Sequence, residues 1–193
     1  MMRHSLIVFS AMAMLATAAW LVNRHTMVHA DEPAAAVGGE KAAPPSAPPS
    51  DAAIKRAHKQ VEMLDNIYKQ AIVLITDKYV HDEDDFAAGS AAVLLFKNIS
   101  EGGSHQVRLI DVSGLPYDDE NVANDDFERA GVKELKAGAP IFERVEQIDG
   151  RPQLRALTTV PVVMKKCVMC HEHYADVKPG KPIGAISYTV PIE

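Results

Sequence analysis

The chain has 193 residues, of which 47% are hydrophobic and 24% are charged, a composition typical of a globular protein with room for one domain. This composition excludes a collagen-like fibre, a low-complexity polymer and a membrane protein with several spans. The formal net charge is −6 at pH 7, which disfavours a partner with a phosphate backbone. We therefore expect no nucleic-acid binding.

The amino terminus has the pattern of a secretory signal peptide. A short basic start precedes an apolar stretch at residues 6–22, and Val28 and Ala30 place small side chains at the −3 and −1 positions of a cleavage site. We expect residues 1–30 to be removed and the mature protein to be periplasmic or otherwise exported. The alternative is an uncleaved anchor, because the apolar stretch is just long enough to span a bilayer and Arg24 follows it.

A linker is predicted at residues 31–50, which are rich in Ala, Pro, Gly and Ser. Such a segment buries too little side chain to offset the entropy of ordering it. The folded domain should therefore occupy residues 51–193, a length that can bury one core around a ligand of medium size.

The folded part begins with the pattern of a long amphipathic helix. Apolar residues recur at steps of three and four from Ile54 to Ile75, and Asp51 is available as the cap, so the helix should extend to about Tyr79. Its apolar stripe can pack on the core of the domain or on a second copy of the chain. A homodimer through this helix is therefore one expectation.

Two shorter helices are predicted after it. The apolar pattern resumes at residues 86–99, which indicates a second helix. Asn124 or Asp125 can cap a third helix, in which Glu128 occupies the position of a capping box and Gly138 marks the end.

Strands account for most of the remaining pattern. The dipeptide Asp149-Gly150 tolerates positive φ angles and predicts a tight hairpin between two of them. Helices followed mainly by hairpin-connected strands indicate an α+β fold with a twisted antiparallel sheet. The predicted strands lie at residues 107–111, 141–148, 153–163 and 184–190.

The strongest chemical signal is the segment CVMCH at residues 167–171, which contains both cysteines of the chain. This is the attachment spacing of haem c, in which Cys167 and Cys170 bond to the two vinyl groups on one edge of the porphyrin and His171 becomes the proximal iron ligand. Haem c is attached on the exported side of a membrane, so this prediction agrees with the signal peptide.

Three other interpretations of the cysteines stay open. A dithiol oxidoreductase or a structural disulfide would use Cys167 and Cys170 alone, but the βαβ unit that normally presents a redox CxxC is not evident. A zinc site would add His171 and His173, but four ligands within residues 167–173 place His171 directly beside Cys170, which leaves poor tetrahedral geometry. We favour a haem protein without catalytic residues over an enzyme.

The distal iron ligand is ambiguous in the sequence. His81 is one of two equally favoured interpretations, because it follows the first helix and stands beside Asp82, a carboxylate able to orient its ring. An open or water-filled distal position is the alternative. His105 is expected to be exposed at the start of a strand, and Met164 to fill the core. The full set of candidates is His58, His81, His105, Met63 and Met164.

Several segments together resemble a family of unknown function made of exported haem c modules, which occur alone and in front of histidine kinases and chemoreceptors. The resemblance covers about residues 53–193 and is carried by NVANDDFE at residues 121–128, DGRP at 149–152, CVMCH at 167–171 and GAISYTVP at 184–191. It implies a PAS-like fold with haem between the sheet and the helices, bound through Cys167, Cys170 and His171. The chain departs from the family at residues 113–120, where relatives favour an Asn-Pro-rich stretch.

These observations predict an exported monohaem c protein that acts as a redox or gas sensor. A labile distal position would suit a diatomic gas ligand, whereas a fixed His or Met would suit an electron-transfer cytochrome. A sensor would need a redox or membrane signalling partner. Lys165 and Lys166 are candidates for binding the haem propionates or an acidic partner.

Overall fold

The computed structural model describes residues 47–82, 85–169, 172–178 and 180–193. The predicted signal peptide and most of the predicted linker lie outside these residues. The elements in chain order are helix α1 (Asp51–Tyr79), helix α2 (Ala88–Glu101), strand β1 (Gln106–Asp111), helix α3 (Asp126–Ala137), strand β2 (Ile141–Ile148), strand β3 (Arg151–Pro161), short 3-10 helices at Lys165–Val168 and Glu172–Asp176, and strand β4 (Pro182–Pro191).

The strands form one antiparallel sheet in the order β1-β4-β3-β2. The α+β prediction is therefore confirmed. Asp149 and Gly150 connect β2 to β3 with φ angles of 52° and 73°, the positive values that a tight hairpin of this kind requires. β3 ends at Pro161, earlier than predicted, because the register with β4 shifts between Val160 and Pro161.

The sheet separates two apolar clusters, and the alternation of side chains along β4 assigns its residues to them. Ile186, Tyr188 and Val190 belong to the larger cluster, which they share with α1 and α2. Ala185 belongs to the smaller cluster, where Phe127 of α3 is also buried. The helices α1 and α2 thus cover one face of the sheet, and α3 covers the other.

The helix ends follow from local hydrogen bonds. Ser50, rather than the expected Asp51, caps α1, because its hydroxyl accepts from the Ala53 N–H at 3.2 Å. Asp125 caps α3 as predicted, with its carboxylate accepting from the Glu128 N–H at 2.8 Å. Gly138 ends α3 with a φ of 112°, a conformation that glycine adopts without strain.

The first and last parts of the described fold are joined. The guanidinium of Arg56 in α1 donates to the backbone carbonyl of Glu193, and the Ile192 N–H donates to the Pro152 carbonyl at 3.0 Å. In the part of the chain that the structure describes, we find no helix whose length and hydropathy suit a membrane span.

Candidate functional site

A cavity of about 1440 Å³ lies between α1, α2 and the β1 side of the sheet. It exceeds the range of about 300–1,000 Å³ that is typical of pockets for drug-sized ligands. Its apolar walls come from the two helices and three strands, and include Ile72, Val73, Val93, Leu109, Val160 and Ile183. Lys69 and Lys97 add ammonium groups to the lining, and Asp118 and Asp119 add carboxylates.

The segment that carries the first cysteine forms part of this lining. The chain leaves the sheet after Pro161, and Met164 precedes the 3-10 helix that contains Cys167. The Cys167 N–H donates to the Met164 carbonyl at 3.1 Å, which turns the segment back on itself. Met164 and Cys167 both line the cavity. Cys170 and His171 lie outside the described residues.

Lys166 joins this segment to the end of α1. Its Nζ donates to the Asp77 carbonyl at 2.8 Å and to the Val80 carbonyl at 2.6 Å. Both carbonyls belong to the carboxyl end of the helix, where four backbone acceptors lack partners within the helix. The adjacent Lys165 is exposed.

The loop after β1 forms another wall and contacts the segment after the cysteines. Ser113 Oγ donates to Asp111 Oδ1 at 2.6 Å and lies 3.3 Å from His173 Nε2. The loop is further fixed by the Asp111 N–H, which donates to the Asn121 carbonyl at 2.6 Å.

Tyr174 is the titratable lining residue with the most strongly perturbed pKa. Burial of its phenol, together with the nearby negative charge of Asp111, raises its pKa to about 12, and a hydrogen bond with Ser113 opposes the shift only in part. The phenol of Tyr174 therefore stays protonated and neutral throughout the physiological pH range. Tyr174 provides a hydroxyl at the cavity wall without adding a charge.

Comparison with known proteins identifies the family. The model of the Tll0287-like family matches residues 21–191. The chain belongs to the Tll0287-like family. A solved structure described as that of the cyanobacterial heme-protein Tll0287 has the same fold, with a TM-score of 0.53 and 12% sequence identity over 69% of this chain and 93% of that chain. No curated protein matches.

The segments that carried the sequence resemblance occupy defined places in this Tll0287-like fold. Residues 184–191 belong to β4, which lies between β1 and β3 in the sheet. Residues 149–152 form the hairpin turn and the start of β3. Residues 121–128 contain the end of the cavity loop and the first turn of α3. They therefore build the sheet and one wall of the cavity.

The structure spreads the candidate distal ligands over different regions. Met164 lines the cavity, contrary to the expectation that it only fills the core. His81 is exposed beyond the end of α1 and is not part of the lining. Its backbone N–H donates to Asp85 Oδ2 at 2.6 Å. Met63 is 56% exposed, and His58 Nδ1 lies 3.0 Å from Glu143 Oε1 on β2.

The expectation that His105 is exposed is wrong. His105 is only 7% exposed, because Tyr68 of α1 covers it and their side chains are hydrogen bonded at 2.8 Å from Oη to Nε2. Ser104 Oγ lies 3.0 Å from the other ring nitrogen, Nδ1. Burial lowers the pKa of His105, so the ring is neutral at pH 7.

Sequence reasoning missed a network of charges that supports the cavity loop from the α3 face. Arg108 of β1 donates to Glu128 Oε2 at 2.7 Å, and to the carbonyls of Glu120 and Val122 at 2.9 Å each. Arg155 of β3 lies 2.8 Å from Asp125 Oδ2. An arginine at an inward position of a strand was the available signal, since such a charge needs a partner when it is buried.

Proposed function

We propose that this chain is a c-type haem protein that holds one haem in the cavity between α1, α2 and the sheet. Cys167 and Cys170 would attach the porphyrin, and His171 would be the proximal iron ligand. The observation that carries the proposal is that Cys167, the first residue of the CxxCH motif, lines a large and mostly apolar cavity. Membership of the Tll0287-like family, whose solved relative Tll0287 is a heme-protein, supports the same cofactor.

The chemistry of the lining fits this group. Apolar side chains from Ile72, Val93 and Leu109 can contact the faces of a porphyrin and keep water away from it. The ammonium group of Lys97 can pair with a propionate, whose charge needs a polar or cationic partner, whereas Lys69 is already paired with Asp65 at 2.8 Å. When bound, the haem iron supplies reversible electron transfer and a coordination position for small ligands.

We propose a role as a haem-based sensor of redox state or of a diatomic gas. Among the lining residues that the structure describes, none is a histidine, and this supports a distal position open to an external ligand. The neutral hydroxyl of Tyr174 can offer a hydrogen bond within the same cavity. His81 is exposed and is not itself part of the lining, but Val80 and Asp85 on either side of it line the cavity, so His81 stays a candidate ligand.

A one-electron carrier is the second candidate function. Met164 lines the cavity, and a methionine thioether is the axial ligand that raises the reduction potential in electron-transfer cytochromes. With Met164 on the iron, the protein would be six-coordinate in both oxidation states and would resist carbon monoxide. The role of Met164 therefore separates the two functions.

The finer assignments belong to the same proposal. A PAS-like arrangement, with helices and sheet around the ligand, agrees with the position of the cavity. Export to the periplasm is supported by the signal-peptide pattern at residues 1–30 and by the compartment in which haem c is attached. A sensor would transmit its state to a redox or membrane signalling partner.

The deciding experiment is to produce the full chain in a host with a functional cytochrome c maturation system. We expect a pyridine haemochrome spectrum of a c-type haem and an intact mass that exceeds the polypeptide by one haem. Cys167→Ala should remove one thioether bond and shift the haemochrome spectrum. Met169→Leu, inside the same motif, is the control and should keep the wild-type spectrum. A colourless protein with two free thiols would overturn the proposal and favour the dithiol oxidoreductase.

Carbon monoxide then distinguishes sensor from carrier. A change in the spectrum of the reduced wild-type protein on adding carbon monoxide supports the open distal position. An unchanged spectrum, together with a carbon monoxide response in Met164→Leu, supports the carrier instead.

A further inference from the structure

Lys166 occupies an unusual position, because it stands directly before the first haem-binding cysteine and yet is bound to a distant helix. Its ammonium donates to the Asp77 and Val80 carbonyls at 2.8 and 2.6 Å. Both acceptors are more than eighty residues away in sequence. The Lys166 side chain also lines the cavity.

The geometry of this contact restricts Cys167. Because consecutive Cα atoms are only about 3.8 Å apart, a Lys166 side chain held on α1 limits how far the neighbouring Cys167 can move away from the end of that helix. The Met169 N–H donates back to the Lys166 carbonyl at 3.3 Å, so the backbone of Lys166 also stabilises the turn that spans Cys167. The side chain and the backbone of one residue thus tie the attachment segment to the cavity.

The contact is also favourable for the helix. The carboxyl end of a helix carries a partial negative charge and unpaired carbonyls, and a cation that donates to them satisfies both. Lys78, in the last turn of α1, pairs instead with the Asp77 carboxylate at 2.7 Å. Lys166 therefore supplies from outside the helix a cation that binds its terminal carbonyls.

We propose that Lys166 is a positioning residue for haem attachment, holding the Cys167 thiol at the cavity wall before the porphyrin is bonded. This inference rests on the proposed function, since it concerns the same cavity and the same cysteine. Lys166 itself takes no part in bond formation. Its ammonium binds the end of α1, and the thiol of the next residue is thereby presented to the haem.

The test compares Lys166→Met with two matched variants in the maturation-competent host. Lys165→Met removes the same charge from the exposed neighbour, and Lys166→Arg keeps a donor that can reach the carbonyls. Intact mass gives the ratio of singly to doubly attached haem in the folded fraction. Voltammetry gives the reduction potential of the folded fraction. A variant that only lowered the yield of folded protein would leave this potential unchanged.

Lys166→Met removes both hydrogen bonds to α1, so we expect it to lower the ratio of doubly attached to incompletely attached haem by at least about tenfold, the effect that one charge-assisted hydrogen bond would have alone. Its reduction potential should also shift, because the attachment segment is less fixed. Lys165→Met should behave as wild type. Lys166→Arg should retain most of the doubly attached haem. If Lys166→Met does not fold, Lys166→Gln, with a neutral and shorter donor, should show the same incomplete attachment.

Wild-type attachment and potential in folded Lys166→Met, or in its Gln replacement, would overturn the inference. Equal defects in Lys165→Met and Lys166→Met would do so as well, since a general effect of charge would explain both. A wild-type protein without haem would refute the proposed function itself, and the variants are not needed to see that result.

Discussion

The two faces of the sheet are covered by side chains of different kinds. On the face covered by α1 and α2, apolar side chains surround a cavity of about 1440 Å³. On the face covered by α3, Arg108, Arg155 and Glu128 form ion pairs within a closely packed layer. One face of the sheet therefore leaves room for a ligand, while the other provides the rigidity that keeps the cavity loop in place.

The largest expected effect comes from filling the open face. Val73→Trp places a bulky ring in the cavity wall, so attached haem should fall to a minor fraction while the free energy of unfolding of the haem-free protein changes by less than about 1 kcal/mol. Intact mass and thermal unfolding measure the two quantities. Leu74→Trp, at the next position and 56% exposed, is the control and should keep its haem. Equal haem content in both variants would show that the cavity is not the haem site.

The next effect concerns the charged face. Glu128 is 2% exposed, so Arg108→Met leaves a buried carboxylate without its closest cation and should lower the free energy of unfolding by about 3 kcal/mol. This is the low end for such a change, because Arg155 stays 4.0 Å from the same carboxylate group. Urea unfolding measures the loss. The paired variant Arg108→Met/Glu128→Gln should recover part of it, and no recovery would contradict the role of the ion pair.

Two glycine substitutions compare the packing of the faces directly. A Cβ at Gly131 of α3 would lie 2.7 Å from Leu157 Cδ2 and 3.0 Å from Phe142 Cδ1, so Gly131→Ala should destabilise the protein by about 1–3 kcal/mol. At Gly89 of α2 a Cβ meets nothing within 4 Å, and Gly89→Ala should stabilise by about 0.4–1 kcal/mol. Thermal unfolding of the two variants should therefore shift in opposite directions, and a shift in the same direction would be evidence against the difference in packing.

The smallest expected effect is a pH dependence from His105. Burial lowers the pKa of His105 in the folded state. The unfolded chain therefore binds more protons at this residue than the folded chain once the pH falls to the unfolded-state pKa of about 6.5. Stability should therefore decrease as the pH falls from that value toward the folded pKa. Melting temperatures across pH 5 to 8 measure it, with His105→Gln as the comparison. An equally steep decrease in the variant would assign the effect to other groups.

Local patterns in the sequence were sufficient to predict most of the helices and strands. The periodicity from Ile54 to Ile75 gave α1, and Asp149-Gly150 gave the hairpin, because both signals depend only on neighbouring residues. The cap of α1 was misplaced by one residue, since Ser50 and Asp51 are both good caps. The CxxCH prediction stays a prediction, because Cys167 is described but Cys170 and His171 lie outside the described residues.

Contacts between distant segments could not be predicted from the sequence. His105 is covered by Tyr68, which lies 37 residues earlier, and no local pattern indicates that pairing. The cavity combines residues from two helices, three strands and three connecting segments, so its volume depends on how these elements pack. Lys166 was considered only as a partner for propionates or for another protein, because its acceptors on α1 become neighbours only in the folded chain.

The bond between Arg56 and the carbonyl of Glu193 brings the start of α1 close to the end of β4. When the two ends of a domain lie close together, they can be joined by a linker and new ends opened elsewhere in the chain. A short Gly-Ser bridge from Glu193 to Ser50, with new ends opened at the Asp149-Gly150 turn, would yield a circular permutant. In such a permutant the segment that contains Lys166 and Cys167 would be synthesised before α1, the helix to which Lys166 is hydrogen bonded.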